Sequence, residues 1–415
     1  MKIAAVSALL LIALNATAQL ASDRVPHERV LPIDEEIRHQ LETSRFRFGI
    51  FRLQPTISVK DFGYDNNVFG TTDAVEPVSD WHASVAGGTS FIVPGGTKLY
   101  FRGMLIPEYT YYQKLAARRS WGGEYGASLL GLFNRMTVEA GVHSLTQFQS
   151  VNSEIERPAL GTRADLPVNL EIEILRRLSL FGTAEGEHQR YDVDVDPSLR
   201  SLERNETLGR GGIRYHLTSY FDISAAAEKT TTKFLINDTR NNESNAFIAG
   251  LHYDRPRSYI NLSIGTREGK GAGPGINTFP EYSETTGSYY AFHELSSGIT
   301  LDVYGRRGVE YSLTVQNPYF FETRNGAGIV LPVGHRLALR AFGEMGPNSY
   351  PIPVNGVKRT DDVTTWGGGF SMRLYRSLVL STIASNTNYD STLDSNNRSV
   401  FRVTTVVTAS TGFFR

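Results

Sequence analysis

The sequence predicts an all-β protein, a transmembrane antiparallel β-barrel of about eighteen strands, on three observations. An apolar leader opens the chain. Segments of 9 to 16 residues alternate apolar with polar from Val78 to Ala409, and the gaps between them are short and long by turns. In Thr97–Tyr112, Leu99, Phe101, Leu105, Pro107, Tyr109 and Tyr111 fall on one face. Lys98, Arg102, Glu108 and Thr110 fall on the other, interrupted by Met104 and Ile106. Side chains alternate along a strand with period two, so the segment has one apolar and one largely polar face. A soluble β-protein hides its apolar face under a second sheet. An exported chain that repeats the unit without a second layer turns that face to lipid.

The leader reads as a secretory signal, residues 1–18. Lys2 supplies the positive charge, Ile3–Leu14 the apolar run and Ala16-Thr17-Ala18 the cleavage site, so the mature chain is expected to begin at Gln19. The run is too short to span a bilayer, which takes roughly 20 residues. Later apolar runs, such as Ser128–Phe133, are shorter still. The chain has no cysteine, which excludes disulfide staples, thiolate catalysis and cysteine-held metals. With 42 basic and 43 acidic residues, no overall field attracts nucleic acid. The 39 glycines suit strands that bend and pack closely, and the 11% aromatic content suits two membrane–water interfaces. No cofactor or metal is implied.

After a polar leader at Leu20–Val30, Pro32–Arg45 reads as a short helix. Proline suits its first turn, Asp34, Glu35 and Glu36 suit its positive end, and Ile33, Ile37 and Leu41 share one face. Residues 19–50 thus form a periplasmic segment before a barrel at 51–415. The helix is expected to rest at the barrel rim, with a cap or partial plug of the mouth as the alternative. Strands are expected at about 53–63, 78–92, 96–112, 121–134, 135–149, 161–175, 177–191, 205–217, 219–234, 244–255, 257–268, 284–294, 297–311, 316–331, 335–349, 361–375, 377–390 and 397–410. Tight turns fall at Pro94-Gly95-Gly96, Asn134-Arg135, Arg176-Arg177, Thr218-Ser219, Pro256-Arg257, Ser296-Ser297, Pro332-Val333-Gly334 and Arg376-Ser377. Long polar loops separate them, including Gly63–Glu76, Ser150–Gly161, Asp192–Asn205 and Pro347–Thr360. Short periplasmic turns alternating with long outer loops are the rule for outer-membrane barrels, and an even count returns both ends of the chain to one side. The chain closes on Phe413-Phe414-Arg415; barrels commonly finish on an aromatic that the assembly machinery recognises, and here Arg415 follows it.

A charge on the lipid face near the midplane costs about 2–4 kcal/mol for Arg or Lys, so the charged faces point inward. The candidate lumen-lining residues are Lys98, Tyr100, Arg102, Glu108, Glu139, Glu185, Glu187, Arg210, Arg214, Asp222, Glu228, Asp302, Tyr304, Arg306, Arg336, Arg340, Glu344 and Arg373. In one reading they line a hydrated path, with Tyr100 and Tyr304 as stacking surfaces for sugar-like solutes. In the other they form a ladder of salt bridges that stabilises the wall.

Catalytic signals are thin. His143 and Ser144 are neighbours on one strand and point to opposite faces, while His188, His216 and His252 have no nucleophile beside them in sequence. Gly269–Gly275 lacks the Gly-Lys-Ser/Thr ending of a phosphate cradle. Asp192-Val193-Asp194-Val195-Asp196 lacks the glycine and distal glutamate of a calcium loop and reads as a solvated acidic loop.

Leu53–Phe69 joins a first strand to Tyr64-Asp65-Asn66-Asn67-Val68-Phe69. This resembles the opening of the outer-membrane β-barrel porins associated with exopolysaccharide biosynthesis operons. One strand and one loop carry the resemblance, and the Asp-Asn-Asn run read on its own favours a tight turn. The resemblance implies a pore serving exopolysaccharide export. The alternatives are a general diffusion porin, a barrel enzyme acting on envelope lipid, and a structural or adhesin barrel. The expected partners are outer-membrane lipid, the barrel-assembly machinery and a polysaccharide export apparatus.

Overall fold

The computed structural model describes residues 33–44, 46–154, 158–192, 197–273, 279–314, 316–354, 356–375 and 377–410. The expected signal, the leader, Pro32, Arg45, Val193–Asp196, Pro274-Gly275, Arg376 and the terminal Phe413-Phe414-Arg415 lie outside the described residues. Helix α1 (Ile33–Thr43) and a short strand β1 (Phe46–Phe48) precede eighteen long strands. These are β2 (Phe51–Asp65), β3 (Asp80–Pro94), β4 (Leu99–Tyr112), β5 (Ser120–Phe133), β6 (Met136–Ser150), β7 (Pro158–Leu175), β8 (Leu178–Tyr191), β9 (Arg204–Thr218) and β10 (Phe221–Phe234). The second half holds β11 (Asn242–Arg255), β12 (Ser258–Gly271), β13 (Tyr282–Glu294), β14 (Thr300–Tyr311), β15 (Tyr319–Val333), β16 (Leu337–Ser349), β17 (Thr360–Tyr375), β18 (Leu378–Ser391) and β19 (Arg398–Ser410).

Each long strand pairs antiparallel with its neighbours in sequence, and β19 returns to pair with β2, closing the ring. Each of the eighteen expected strands is present. The extra one, β1, pairs with the start of β2. Among the described residues the β19–β2 ladder extends to Ser410 opposite Thr56, and β1 pairs with the stretch of β2 that precedes it. The seam between β2 and β19 is irregular, with register shifts on both strands and Asp61 at a positive φ of 52°. At Gly63 the carbonyl of Val403 lies where a Cβ would stand, so only glycine fits this approach.

The outer face is built for lipid. Phe62, Tyr64, Trp81, Tyr109, Tyr111 and Trp121 gather at the long-loop end, with Tyr109 and Trp121 centroids 5.0 Å apart and Tyr64 and Trp81 5.3 Å. Phe46, Phe48, Phe51, Phe91 and Phe101 mark the short-turn end. Between these girdles the exposed residues are aliphatic, including Ile57, Val85, Leu105, Leu129, Val142, Ile213, Ile264 and Leu339. No helix among the described residues is long and apolar enough to cross a membrane; the crossing elements are strands.

Helix α1 departs from its expected place at the rim. Its apolar face packs on inward-facing wall residues. Ile37 is buried against Ile92 of β3 and Leu130 of β5, with Ile33, Leu41, Tyr100 and Leu132 around them. Gln54 of β2 donates to the Gln40 carbonyl at 3.3 Å and to Thr43 Oγ1 at 2.8 Å. The helix therefore lies inside the short-turn mouth, because the nearest apolar surface for its Ile-Ile-Leu stripe is on the inner wall.

Tags inserted at Ser198 or Gly273 are expected to label on intact cells, and tags at Gly95 or Ser297 to stay hidden; reversed labelling would invert the orientation. Replacing Leu339 with Arg should cost about 2–4 kcal/mol of stability in lipid and impair assembly. Heat-modifiable gel mobility reads that loss directly.

Candidate functional site

The lumen is the candidate site, and most of its charges are paired with one another, along a strand, across neighbouring strands or across one intervening strand. Lys60 donates to Glu108 at 3.2 Å. Arg102 bridges Glu139 of β6 and Glu36 of α1, the latter at 2.8 Å. Arg163 reaches Asp165 at 2.8 Å, Glu187 at 3.0 Å and Glu185 at 3.6 Å. Glu228 is held between Arg210 and Arg267, Arg214 donates to Glu171 at 2.6 Å, and Asp222 accepts from His216 at 2.6 Å. On the far wall Arg306 pairs with Glu322 and Glu310, Arg324 lies 3.9 Å from Glu344, and Arg340 lies 3.8 Å from Asp302. Such pairs neutralise one another and leave little net field along the wall.

Several sequence candidates sit elsewhere than expected. Lys98 and Arg336 lie in short turns and are exposed. Neither is in a strand, because the chain is still reversing there. Tyr100 faces inward but is committed to the apolar cluster under α1, and its hydroxyl donates to the Thr97 carbonyl at 3.2 Å. Tyr304 is 2% exposed, packed with Tyr259, Tyr290 and Phe292, so it offers no open ring face to a solute. Arg373 is half-buried on β17.

A set of residues not singled out in the sequence joins opposite walls at the long-loop end. The loop between β6 and β7 leaves one wall and bonds to the opposite one. Asn152 donates to the Tyr311 carbonyl at 2.7 Å, and Ser153 and Asn348 exchange hydrogen bonds, Ser153 Oγ donating at 3.0 Å. Glu154 is the centre of this contact. Its carboxylate accepts from Ser312 Oγ at 3.0 Å, the Leu313 N–H at 2.9 Å and Arg359 at 3.0 Å, while Arg398 donates to its carbonyl at 2.6 Å.

Neighbouring loops add to the closure. Arg240 is fully buried and donates to the carbonyls of Ser312 and Pro318, both at 2.7 Å. Burial pushes its guanidinium down to about 10. Leu199, Leu202, Ala159 and Tyr191 form an apolar cluster with Val151, Tyr311 and Leu313. Three outer loops thus share one small core. The sequence signal was weak: Ser150–Gly161 reads as any polar loop, and its partners lie far along the chain.

The Tyr64–Phe69 segment is structural. Asp65 accepts from Arg402 Nε at 2.7 Å and from the Asn67 N–H at 2.8 Å. Asn66 exchanges hydrogen bonds with the Phe401 backbone, and Asn67 pins Thr71. Val68 is buried, and Arg118 lies over the Phe69 ring at 5.4 Å. The Asp-Asn-Asn run thus ties the first outer loop to the seam, as its turn chemistry suggests.

One arrangement has the order of a hydrolase triad. Ser179 Oγ lies 3.4 Å from His216 Nε2, and His216 Nδ1 lies 2.6 Å from Asp222. Its chemistry does not follow through. Ser179 is 3% exposed and directly opposite Glu173 in the ladder, and the strand N–H groups around it are spent on pairing, leaving no oxyanion hole. His143 sits between Glu124 at 3.0 Å and Asp165 at 3.2 Å, and His188 bonds Asn205; among the described residues neither is hydrogen-bonded to a nucleophile. Asp165, Glu185 and Glu187 lie close enough to share a cation, but Arg163 already occupies the centre of the group.

With this geometry in place, the solved structures it resembles include outer-membrane porins. OccAB3 of Acinetobacter baumannii superposes with a TM-score of 0.52 at 10% identity, covering 86% of this chain and 99% of that one. A BenF-like porin from Pseudomonas fluorescens Pf-5 gives 0.53 at 11% identity, covering 86% and 98%. OpdK of Pseudomonas aeruginosa, solved with vanillate, gives 0.50 at 8% identity with the same coverage. The fold is the outer-membrane porin fold. No family profile matches the sequence, and no curated protein is similar to it.

Replacing Glu154 with Ala removes the acceptor of three donors and leaves Arg359 half-satisfied in a buried site, a loss of about 3–5 kcal/mol for the loop contact. The barrel should keep its heat-modifiable mobility, while limited proteolysis on whole cells should cut the 151–154 loop that the native protein protects.

Proposed function

We propose that the barrel is an outer-membrane channel for small hydrophilic solutes. The observation that carries this is the crossing of the lumen by the 151–154 loop, latched through Glu154. An eighteen-strand ring is wide enough for an aqueous channel. A loop seated across it turns that width into an opening suited to molecules far smaller than a polymer. OpdK, whose barrel this one resembles, was solved with the small solute vanillate.

The export of exopolysaccharide, implied by the resemblance at Tyr64–Phe69, is less well supported. A polymer needs an unobstructed path, and here one end is narrowed by joined loops and the other carries α1. The motif residues themselves are occupied in holding a loop to the seam. The balanced pairing of inward charges favours a channel of weak ion selectivity.

Planar-bilayer recordings of the purified barrel should show stepwise conductance with weak selectivity, and proteoliposomes should swell in monosaccharides but not in long oligosaccharides. Exchanging Arg102 for Gln leaves Glu36 and Glu139 uncompensated in a half-exposed site and should shift selectivity toward cations, with the barrel assembled and surface polysaccharide unchanged. Loss of surface polysaccharide on deletion of the protein would instead restore the export reading. Absent conductance, together with lipid hydrolysis abolished by changing His143 or His188, would replace the channel by an enzyme.

A further inference from the structure

The β1–β2 hairpin carries an unexplained pair of charges. Gly49, at a φ of +59°, and Ile50 make a tight turn that places Arg47 directly opposite Arg52. Cross-strand like charges at this separation repel. Phe46 and Phe48 pair with Leu53 and Phe51 on the other face, so the two guanidiniums share the side away from these apolar residues. Arg52 donates to the Gly49 carbonyl at 2.9 Å and the Phe51 carbonyl at 3.4 Å, which holds it over the turn. Among the described residues neither arginine meets a carboxylate. Glu36 and Glu139, which line the same cavity as Arg52, are both engaged by Arg102.

Arg52 also borders a cavity of about 270 Å³ between α1 and the inner wall, lined further by Gln40, Ser44, Gln54 and Ser90, and by Arg102 with its partners Glu36 and Glu139. The first four side chains offer amide and hydroxyl groups beside the Arg52 guanidinium, while the two carboxylates are neutralised by Arg102. We propose that Arg47 and Arg52 form an anion site at the short-turn mouth, which takes the phosphate or carboxylate group of a small solute whose remainder enters this cavity. Two planar guanidiniums side by side match the oxygens of such a group in fork geometry, and a bound anion relieves their repulsion. The site lies at the other end of the lumen from the Glu154 closure and does not depend on the channel reading.

The test is calorimetric titration of the full mature chain in neutral detergent with inorganic phosphate, phenyl phosphate and benzoate. Binding should weaken as salt rises. Arg52→Gln should weaken it roughly tenfold, the loss of one charge-assisted contact, and Arg47→Gln/Arg52→Gln should abolish it. Arg52→Lys should retain part, and heat-modifiable mobility should be native throughout. A second arm measures thermal stabilisation by vesicles of anionic against neutral phospholipid. Stabilisation by anionic vesicles that is lost in the double variant, without binding of any small anion, would assign the arginines to a lipid headgroup and overturn the solute site. Equal small-anion binding by native and double-variant protein would remove the pair from any site. Either result leaves the conductance prediction standing on its own.

Discussion

Every other feature depends on the ladder between β2 and β19. Hydrocarbon offers no hydrogen bonds, so a sheet can cross a membrane only when its first and last strands satisfy each other. Here that junction is irregular, with Asp61 bulged out of β2 and a matching shift at Thr405 and Val407. Asp65 with Arg402, and Asn66 with the Phe401 backbone, fasten it near the long-loop end. Toward the short-turn end, strand β1 pairs with the start of β2. Lipid-facing side chains, inward charges and cross-lumen loops acquire their positions only because this circuit is complete.

Closure also decides what the interior can be. The inner wall must carry polar groups, and in this chain it carries them as complementary sets: Arg102 with two carboxylates, Glu228 with two arginines, Arg163 with three acids. Pairing of this kind keeps long side chains folded against the wall and restrains them from filling the bore. At the long-loop end the loops are held instead by apolar contacts and by buried arginines such as Arg240 and Arg359.

The barrel was legible because period two and the alternation of gap lengths are local properties. Leu337, Leu339 and Arg340 declare their faces within four residues, and the structure exposes Leu339 while burying Arg340. The apolar stripe of α1 was equally plain, yet its destination was not, since Ile92 and Leu130 lie far along the chain. The same limit hid the loop closure. Nothing beside Glu154 announces that its partners are Ser312, Arg359 and Arg398, because carboxylates in polar loops are common and the pairing exists only once the wall has curved round. Arg47 and Arg52 carry no signal in the sequence for another reason: a three-residue strand is too short to show a period.

The latch at Glu154 has a consequence for biogenesis. Its partners are contributed by the second half of the chain, with Arg398 separated from it by 244 residues. Long-range contacts of this kind form late, after the loss of chain entropy has been met by shorter ones. A barrel that stalls before its last strands insert leaves this carboxylate and its loop hydrated and open to proteases, while a completed one withdraws both. The loop that narrows the bore thereby also reports that the wall behind it is finished.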